Sequence, residues 1–253
     1  MRRCTLSATN VRSGTFWEPG DDTEGLKMQV EAILFDKDGT LFDFEATWGA
    51  AMASYINRVA PVGQAKETAQ ALGYDMASGR FDPTSVAIAG TAADIADAAA
   101  PITGLDTAEL IAIIDDIAGV TVQVPAVDLV PCLTALRDIS PLGIVTNDSE
   151  VPARMHIDGA GIAPYFDFLS GFDSGHGVKP DPGPCLAGAR ALGARPEATL
   201  MVGDSLHDLH AGRAAGMGTV AVLTGVAPAE VLAPFADVVL PDISALADWI
   251  ASA

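Results

Sequence analysis

Along this chain, short apolar runs stop abruptly at polar residues, and longer stretches between them repeat apolar positions every three or four residues. The runs at 32–35, 142–147, 166–170, 199–204, 219–223 and 237–240 are too short for helices, and the first is apolar on both faces. They predict strands of a buried parallel sheet. The intervening stretches predict helices at 127–139, 149–160, 182–192, 206–215 and 244–251. Alternation of this kind gives an α/β fold, a Rossmann-like parallel sheet with right-handed crossovers. Between the first and second strands the rhythm changes. Alanine-rich helical patterns at 45–60, 65–72, 85–99 and 107–118 follow one another, punctuated by Pro61, Gly73, Gly79, Pro83, Pro101 and Gly104, with no strand recognisable between 43 and 120. That block is too large for a simple crossover. It reads as a small α-helical domain at 44–125, inserted into a core made of 28–43 and 126–253.

Residues 1–27 share neither periodicity; they carry four basic and four acidic residues and read as a flexible leader, with Met28 a second candidate start of translation. The whole net charge of −19 therefore belongs to the body. With no cluster of lysine and arginine, such a chain is not expected to bind nucleic acid or an anionic membrane. Cys4, Cys132 and Cys185 are scattered and odd in number, which suits free thiols in a reducing cytoplasm better than disulfides or zinc. Hydrophobic residues at 49% are ample for a buried core, and no apolar run reaches the length of a transmembrane helix.

Three of the strands end in reactive polar residues: Asp36 with Asp38, Thr146 with Asn147, and Asp204. Asp208 follows at the start of a helix, and Lys179 lies in the loop before the 182–192 helix. In a parallel sheet such ends converge on one crevice. Asp36, Asp38, Asp204 and Asp208 would then meet opposite one lysine. Like charges about 4 Å apart repel by roughly 4 kcal/mol at an effective dielectric near 20. Either some stay protonated or a divalent cation is bound. An all-oxygen carboxylate site suits Mg²⁺, which bridges protein carboxylates to an anionic, oxygen-rich ligand such as phosphate.

The same residues resemble the motifs of the haloacid dehalogenase superfamily, which is mostly phosphatases. Asp36-Lys37-Asp38-Gly39-Thr40-Leu41 resembles its DxDGT motif. Thr146, Lys179 and Gly203-Asp204-Ser205-Leu206-His207-Asp208 resemble the second, third and fourth motifs, in the expected order. Within the superfamily the chain looks most like the phosphoglycolate-phosphatase group, with a helical cap after the first strand. The resemblance implies Asp36 as nucleophile and Asp38 as acid-base, Asp38 also lending its main-chain carbonyl to Mg²⁺. Asp204 would ligate the metal directly, and Asp208 would orient a metal-bound water. Thr146 and Asn147 would donate hydrogen bonds to phosphoryl oxygens, and Lys179 would neutralise charge. The implied activity is hydrolysis of a small phosphorylated metabolite, with 2-phosphoglycolate as first guess.

A sugar-phosphate mutase keeps the same four motifs, and a phosphonate hydrolase would need a lysine in the insert, which holds only Lys66. A phosphate-binding regulatory protein would be expected to lack the nucleophile or the acid-base, and both are present. Dehalogenation is disfavoured by the second carboxylate, Asp38. For Trp48, Arg58 and Arg80, core packing or a solvated face is expected before substrate contact. His207 and His210 read as polar helix residues and His176 as an exposed loop residue. The pattern gives no oligomeric state.

Overall fold

In the computed structural model, which describes residues 29–253, the run Ala32–Phe35 is the strand β1, and none of its side chains reaches solvent. The leader at 1–27 and Met28 lie outside the described residues. Successive side chains of β1 point to opposite faces, and the packing shows it. Ile33 and Phe35 join one apolar cluster, and Leu34 joins another.

The helical block follows: α1 Phe44–Val59, α2 Ala65–Ala71, a hairpin of β2 Tyr74–Asp75 and β3 Arg80–Phe81, then α3 Val86–Ala89, α4 Ala92–Thr103 and α5 Thr107–Ala118. Three expectations are corrected here. The hairpin was unrecognised because two-residue strands are too short to show alternation. It is held instead by aromatic packing, with Phe81 edge-on to both Phe44 and Tyr74 at 5.0 Å and the Tyr74 hydroxyl donating to the Gly49 carbonyl. The single helix expected at 85–99 is two. Gly90 ends α3, and Thr91 starts α4 through reciprocal hydrogen bonds with Asp94. Pro101, read as a break, is carried inside α4, near the end where few further bonds are lost. These elements bury their own apolar cluster around Ile56, Leu72 and Leu110.

The alternating part resumes with α6 Leu129–Arg137, β4 Leu142–Val145, α7 Glu150–Gly159, β5 Phe166–Ser170, α8 Gly183–Ala191, β6 Thr199–Gly203, α9 Leu206–Ala214, β7 Gly218–Val222, α10 Ala229–Leu232, β8 Val238–Leu240 and α11 Leu246–Ser252. The short α10, between Pro228 and Pro234, carries too few residues to show a period. The expected parallel sheet forms in the order β5-β4-β1-β6-β7-β8. Residues of α6, α7 and α11 pack on one face, and those of α8 and α9 on the other. The chain leaves β1 for β4 on one side and later returns to β6 on the other. β1 is therefore the switch point, and its carboxyl end opens into the crevice where such sheets bind ligands.

The two links to the helical block run side by side. Phe42 bridges Pro125 in antiparallel fashion, Asp43 N–H donates to Val124 O at 2.8 Å, and Ala126 N–H donates to Leu41 O at 3.0 Å. Among the described residues no helix is long and apolar enough to cross a membrane. Phe42 is fully buried in the sheet cluster at this junction. Phe42→Ala is expected to lower unfolding free energy by about 3–5 kcal/mol, read from the shift in urea midpoint at unchanged m-value.

Candidate active site

Strand ends and one loop bring the charged residues together. Asp36 closes β1, with its amide donating to Val202 O across the sheet at 2.9 Å, and Asp204 closes the neighbouring β6. One carboxylate oxygen from each of Asp36, Asp204 and Asp208 falls within 4.8 Å of the others, and all three residues are buried. Lys179 Nζ, itself buried, donates to Asp36 Oδ1 at 2.5 Å and Asp208 Oδ1 at 2.6 Å. The other oxygen of Asp208 accepts from Ser205 N–H and Oγ–H and caps α9, so this residue both starts a helix and faces the site.

Two glycines make room for Asp204. Gly39 has φ +86°, and a Cβ there would stand 2.4 Å from the Asp204 carboxylate; at Gly225 the approach is closer still. Thr40 Oγ1 donates to Asp204 Oδ1 at 3.3 Å.

Burial with like charges alongside sets the protonation. Desolvation pushes the Asp36 carboxyl up to about 7, against the pull of Lys179 and reinforced by Asp208 and Asp38. Desolvation, then Asp36 and Asp208, also hold Asp204 well above its ordinary value. Burial alone would lower the Lys179 ammonium, but Asp208 and Asp36 outweigh it and leave the lysine firmly charged. Three carboxylates against one ammonium, all oxygen donors and no histidine or cysteine, fit a hard divalent cation.

Asp36, Asp38, Thr146, Asn147, Lys179, Asp204 and Asp208 all line one cavity of about 900 Å³, its open mouth included. Thr146 Oγ1 accepts from Asp148 N–H at 3.1 Å, leaving its own hydrogen free. The expectation for Asn147 changes. Its amide donates to Ala89 O at 2.8 Å and Lys179 O at 3.0 Å, and its Oδ1 accepts from Lys179 N–H at 3.0 Å. Both amide hydrogens are spent, so the side chain fixes the Lys179 loop and ties it to α3 rather than facing a phosphoryl oxygen.

The Asp38 carboxylate, which also lines the cavity, joins a second, partly buried cluster that the motifs do not show. Lys37 Nζ meets Asp38 at 2.7 Å, Asp148 at 3.2 Å and His156 Nδ1 at 3.1 Å, and lies 5.4 Å from the Trp48 ring centroid. Trp48, expected to pack or be solvated, instead lines the cavity and donates Nε1–H to Asp38 Oδ1 at 2.7 Å. His156 Nε2–H donates to Ala118 O at 2.7 Å, which leaves Nδ1 to accept from Lys37. Burial first, then Lys37, pulls the His156 imidazole down to about 4. For Lys37, desolvation is outweighed by Asp38 and Asp148 and the ammonium is held above its ordinary value, whereas desolvation pushes Asp148 up to about 6. A signal existed: His156 belongs to the buried stripe of α7 with Pro152, Ala153 and Ile157, an apolar face where an imidazole needs partners.

The remaining candidates stand apart. Arg58 pairs with Asp116 and Arg80 with Glu45, and Lys66 is exposed on α2 and does not line the cavity. His176 and His210 are exposed, and His207 lines the cavity.

A family model described as haloacid dehalogenase-like hydrolase matches residues 30–216. The phosphoglycolate phosphatase of Rhodospirillum rubrum is 38% identical over 137 residues, 54% of this chain and 56% of that protein. The pyrophosphatase PpaX of Oceanobacillus iheyensis is 36% identical over 108 residues, 42% of this chain and 50% of that protein. The chain thus spans about half the length of these relatives. A crystal structure from Haemophilus somnus, titled a predicted phosphoglycolate phosphatase, superposes with TM-score 0.66 at 21% identity, covering 89% of this chain and 99% of that one. It supports the fold.

The Lys37 cluster yields two expectations. Lys37→Met strands two partly buried carboxylates and is expected to cost about 3 kcal/mol, and adding Asp148→Asn should recover at least about 1 kcal/mol in a double-mutant cycle of urea unfolding. His156 is protonated at 6.5 in the unfolded chain but only near 4 when folded. The unfolded state thus binds more protons in that window, and stability falls as pH drops. Between about pH 7.5 and about pH 5 the native chain is expected to lose about 2 kcal/mol more than His156→Gln. The raised carboxylates pull the other way and cancel in that comparison.

Proposed function

The chain belongs to the haloacid dehalogenase-like hydrolase family, and from that premise we propose that it is a Mg²⁺-dependent phosphatase of a small phosphorylated metabolite. One observation carries the reading: three buried carboxylates and a lysine at the floor of a cavity whose upper walls come from the helical insert. Residues 44–125 would serve as the cap over a core of 28–43 and 126–253. Free cysteines, buried at Cys185 and half-buried at Cys132, suit a reducing cytoplasm.

In this reading Asp36 attacks phosphorus and forms an aspartyl-phosphate, while the ester P–O bond breaks with its electron pair going to the leaving oxygen. Asp38 gives that oxygen its proton. It then takes a proton from water, whose oxygen attacks phosphorus, releasing inorganic phosphate and restoring the Asp36 carboxylate. Lys37 and Trp48 hold the Asp38 carboxylate in place between these two transfers. Lys179 and Thr146 neutralise and bind the phosphoryl oxygens. Asp36, Asp204 and the main-chain carbonyl of Asp38 would hold Mg²⁺, with Asp208 supporting the ion indirectly through a water, and the ion when bound would offset the charge of phosphate and carboxylates.

The test is phosphate release from a panel of phosphomonoesters, with 2-phosphoglycolate included because the sequence suggests it first. Activity is expected with Mg²⁺, to vanish with EDTA, and to fall at least about 10³-fold in Asp36→Asn. Acid-quenched native protein should carry covalent phosphate on the peptide containing Asp36. Turnover that survives Asp36→Asn would refute the covalent route.

A further inference from the structure

Away from the aspartates the cavity changes character. Phe44, Trp48, Met52, Phe81, Ile88 and Ile114 line its walls, all from the helical insert. Among the described residues five carboxylates line the cavity (Asp36, Asp38, Asp148, Asp204, Asp208) and one ammonium, Lys179, which Asp36 and Asp208 already engage. His207 also lines it. The three cations of the insert lie outside the cavity, Arg58 and Arg80 in exposed ion pairs and Lys66 exposed. A substrate with a carboxylate beyond its phosphate would lay that charge against hydrocarbon or more carboxylates, with no free cation among the described lining residues to compensate.

A second observation points the same way. The Tyr55 hydroxyl is buried without a hydrogen-bond partner, on a residue that lines the cavity. Buried hydroxyls are normally satisfied, and this one has no exposed surface of its own, so a ligand atom would meet it as the wall around it shifts. Trp48, Met52 and Tyr55 follow at helical spacing on α1, which puts Tyr55 roughly 10 Å along the axis from the tryptophan at Asp38.

We propose that the alcohol released here is neutral and largely apolar, running along Trp48 and Met52 and presenting one uncharged hydrogen-bonding group to Tyr55. The proposal rests on the phosphatase reading and names the class of ester it acts on. The first guess, 2-phosphoglycolate, becomes the counter-example, because its leaving group carries the carboxylate for which this cavity has no partner.

The experiment compares kcat/KM of the native chain with Mg²⁺ for ethyl phosphate, n-hexyl phosphate, 2-phosphoglycolate and acetyl phosphate. The two alkyl esters share leaving-group chemistry and differ in buried methylenes, each favouring binding by up to about fourfold. Hexyl phosphate is expected to exceed both ethyl phosphate and 2-phosphoglycolate at least tenfold. A 2-phosphoglycolate value equal to or above that of hexyl phosphate overturns the proposal and leaves the phosphatase reading standing. Failure on all three esters and on the acyl phosphate overturns the phosphatase reading itself. Ile88→Lys places an ammonium in the half-exposed α3 wall and is expected to shift the hexyl-to-phosphoglycolate ratio at least tenfold toward the acid. An unchanged ratio in the folded variant counts against the proposal, and if the variant does not fold the native ester series decides.

Discussion

One ammonium group inside a cluster of carboxylates is the constraint on which the site depends. Lys179 touches Asp36 and Asp208 at the same time, from a loop and not from the sheet, so that loop must be held as firmly as the strands. Asn147 does this by bonding both the amide N–H and the carbonyl of Lys179, and Asn147 stands at the end of β4. Positions set by the sheet thereby reach a charge that the sheet does not carry. The polar interior is stable because no member stands alone: Asp208 also caps α9, and Asp204 also accepts from Thr40.

The Asp38 carboxylate has a separate support. Asp38 leans on Lys37 and Trp48, and Lys37 leans on Asp148 and His156. His156 in turn donates to the carbonyl of Ala118, the last residue of α5. A chain of contacts therefore joins Asp38 to both ends of the helical insert, Trp48 near its start and Ala118 near its finish. Asn147 adds a third tie through Ala89. The residues assigned to chemistry and those assigned to reading the alcohol thus share hydrogen bonds.

Much of the fold was legible in the sequence because its signals are local. An apolar run ending at Asp36, and others ending at Thr146 and Asp204, predict both the strands and the end of the sheet where chemistry gathers. The β2–β3 hairpin was not legible because it depends on Tyr74 and Phe81 meeting Phe44, a contact between residues far apart in the chain. The break between α3 and α4 was weakly marked, since Gly90-Thr91 with Asp94 is a readable start signal set inside an alanine-rich run. The Lys37 cluster was hidden for another reason. A lysine between two aspartates reads as solvated, and only the 119-residue separation closed in three dimensions shows that its partner is an imidazole. Asn147 differs from expectation because a residue next to Thr146 shares its address but not its free hydrogen.

The paired links at Phe42 and Pro125 have a wider consequence. The chain leaves the sheet and comes back to it at adjacent points, already joined by backbone hydrogen bonds. To the core, everything between them is equivalent to a hairpin turn, and closing a loop costs little more as it lengthens. Such a junction lets the insert change in length and sequence at little cost to chain closure. Over evolutionary time the same strand ends can be offered new partners by replacing what lies between the two links, provided the ties at Trp48, Ala89 and Ala118 are kept or replaced.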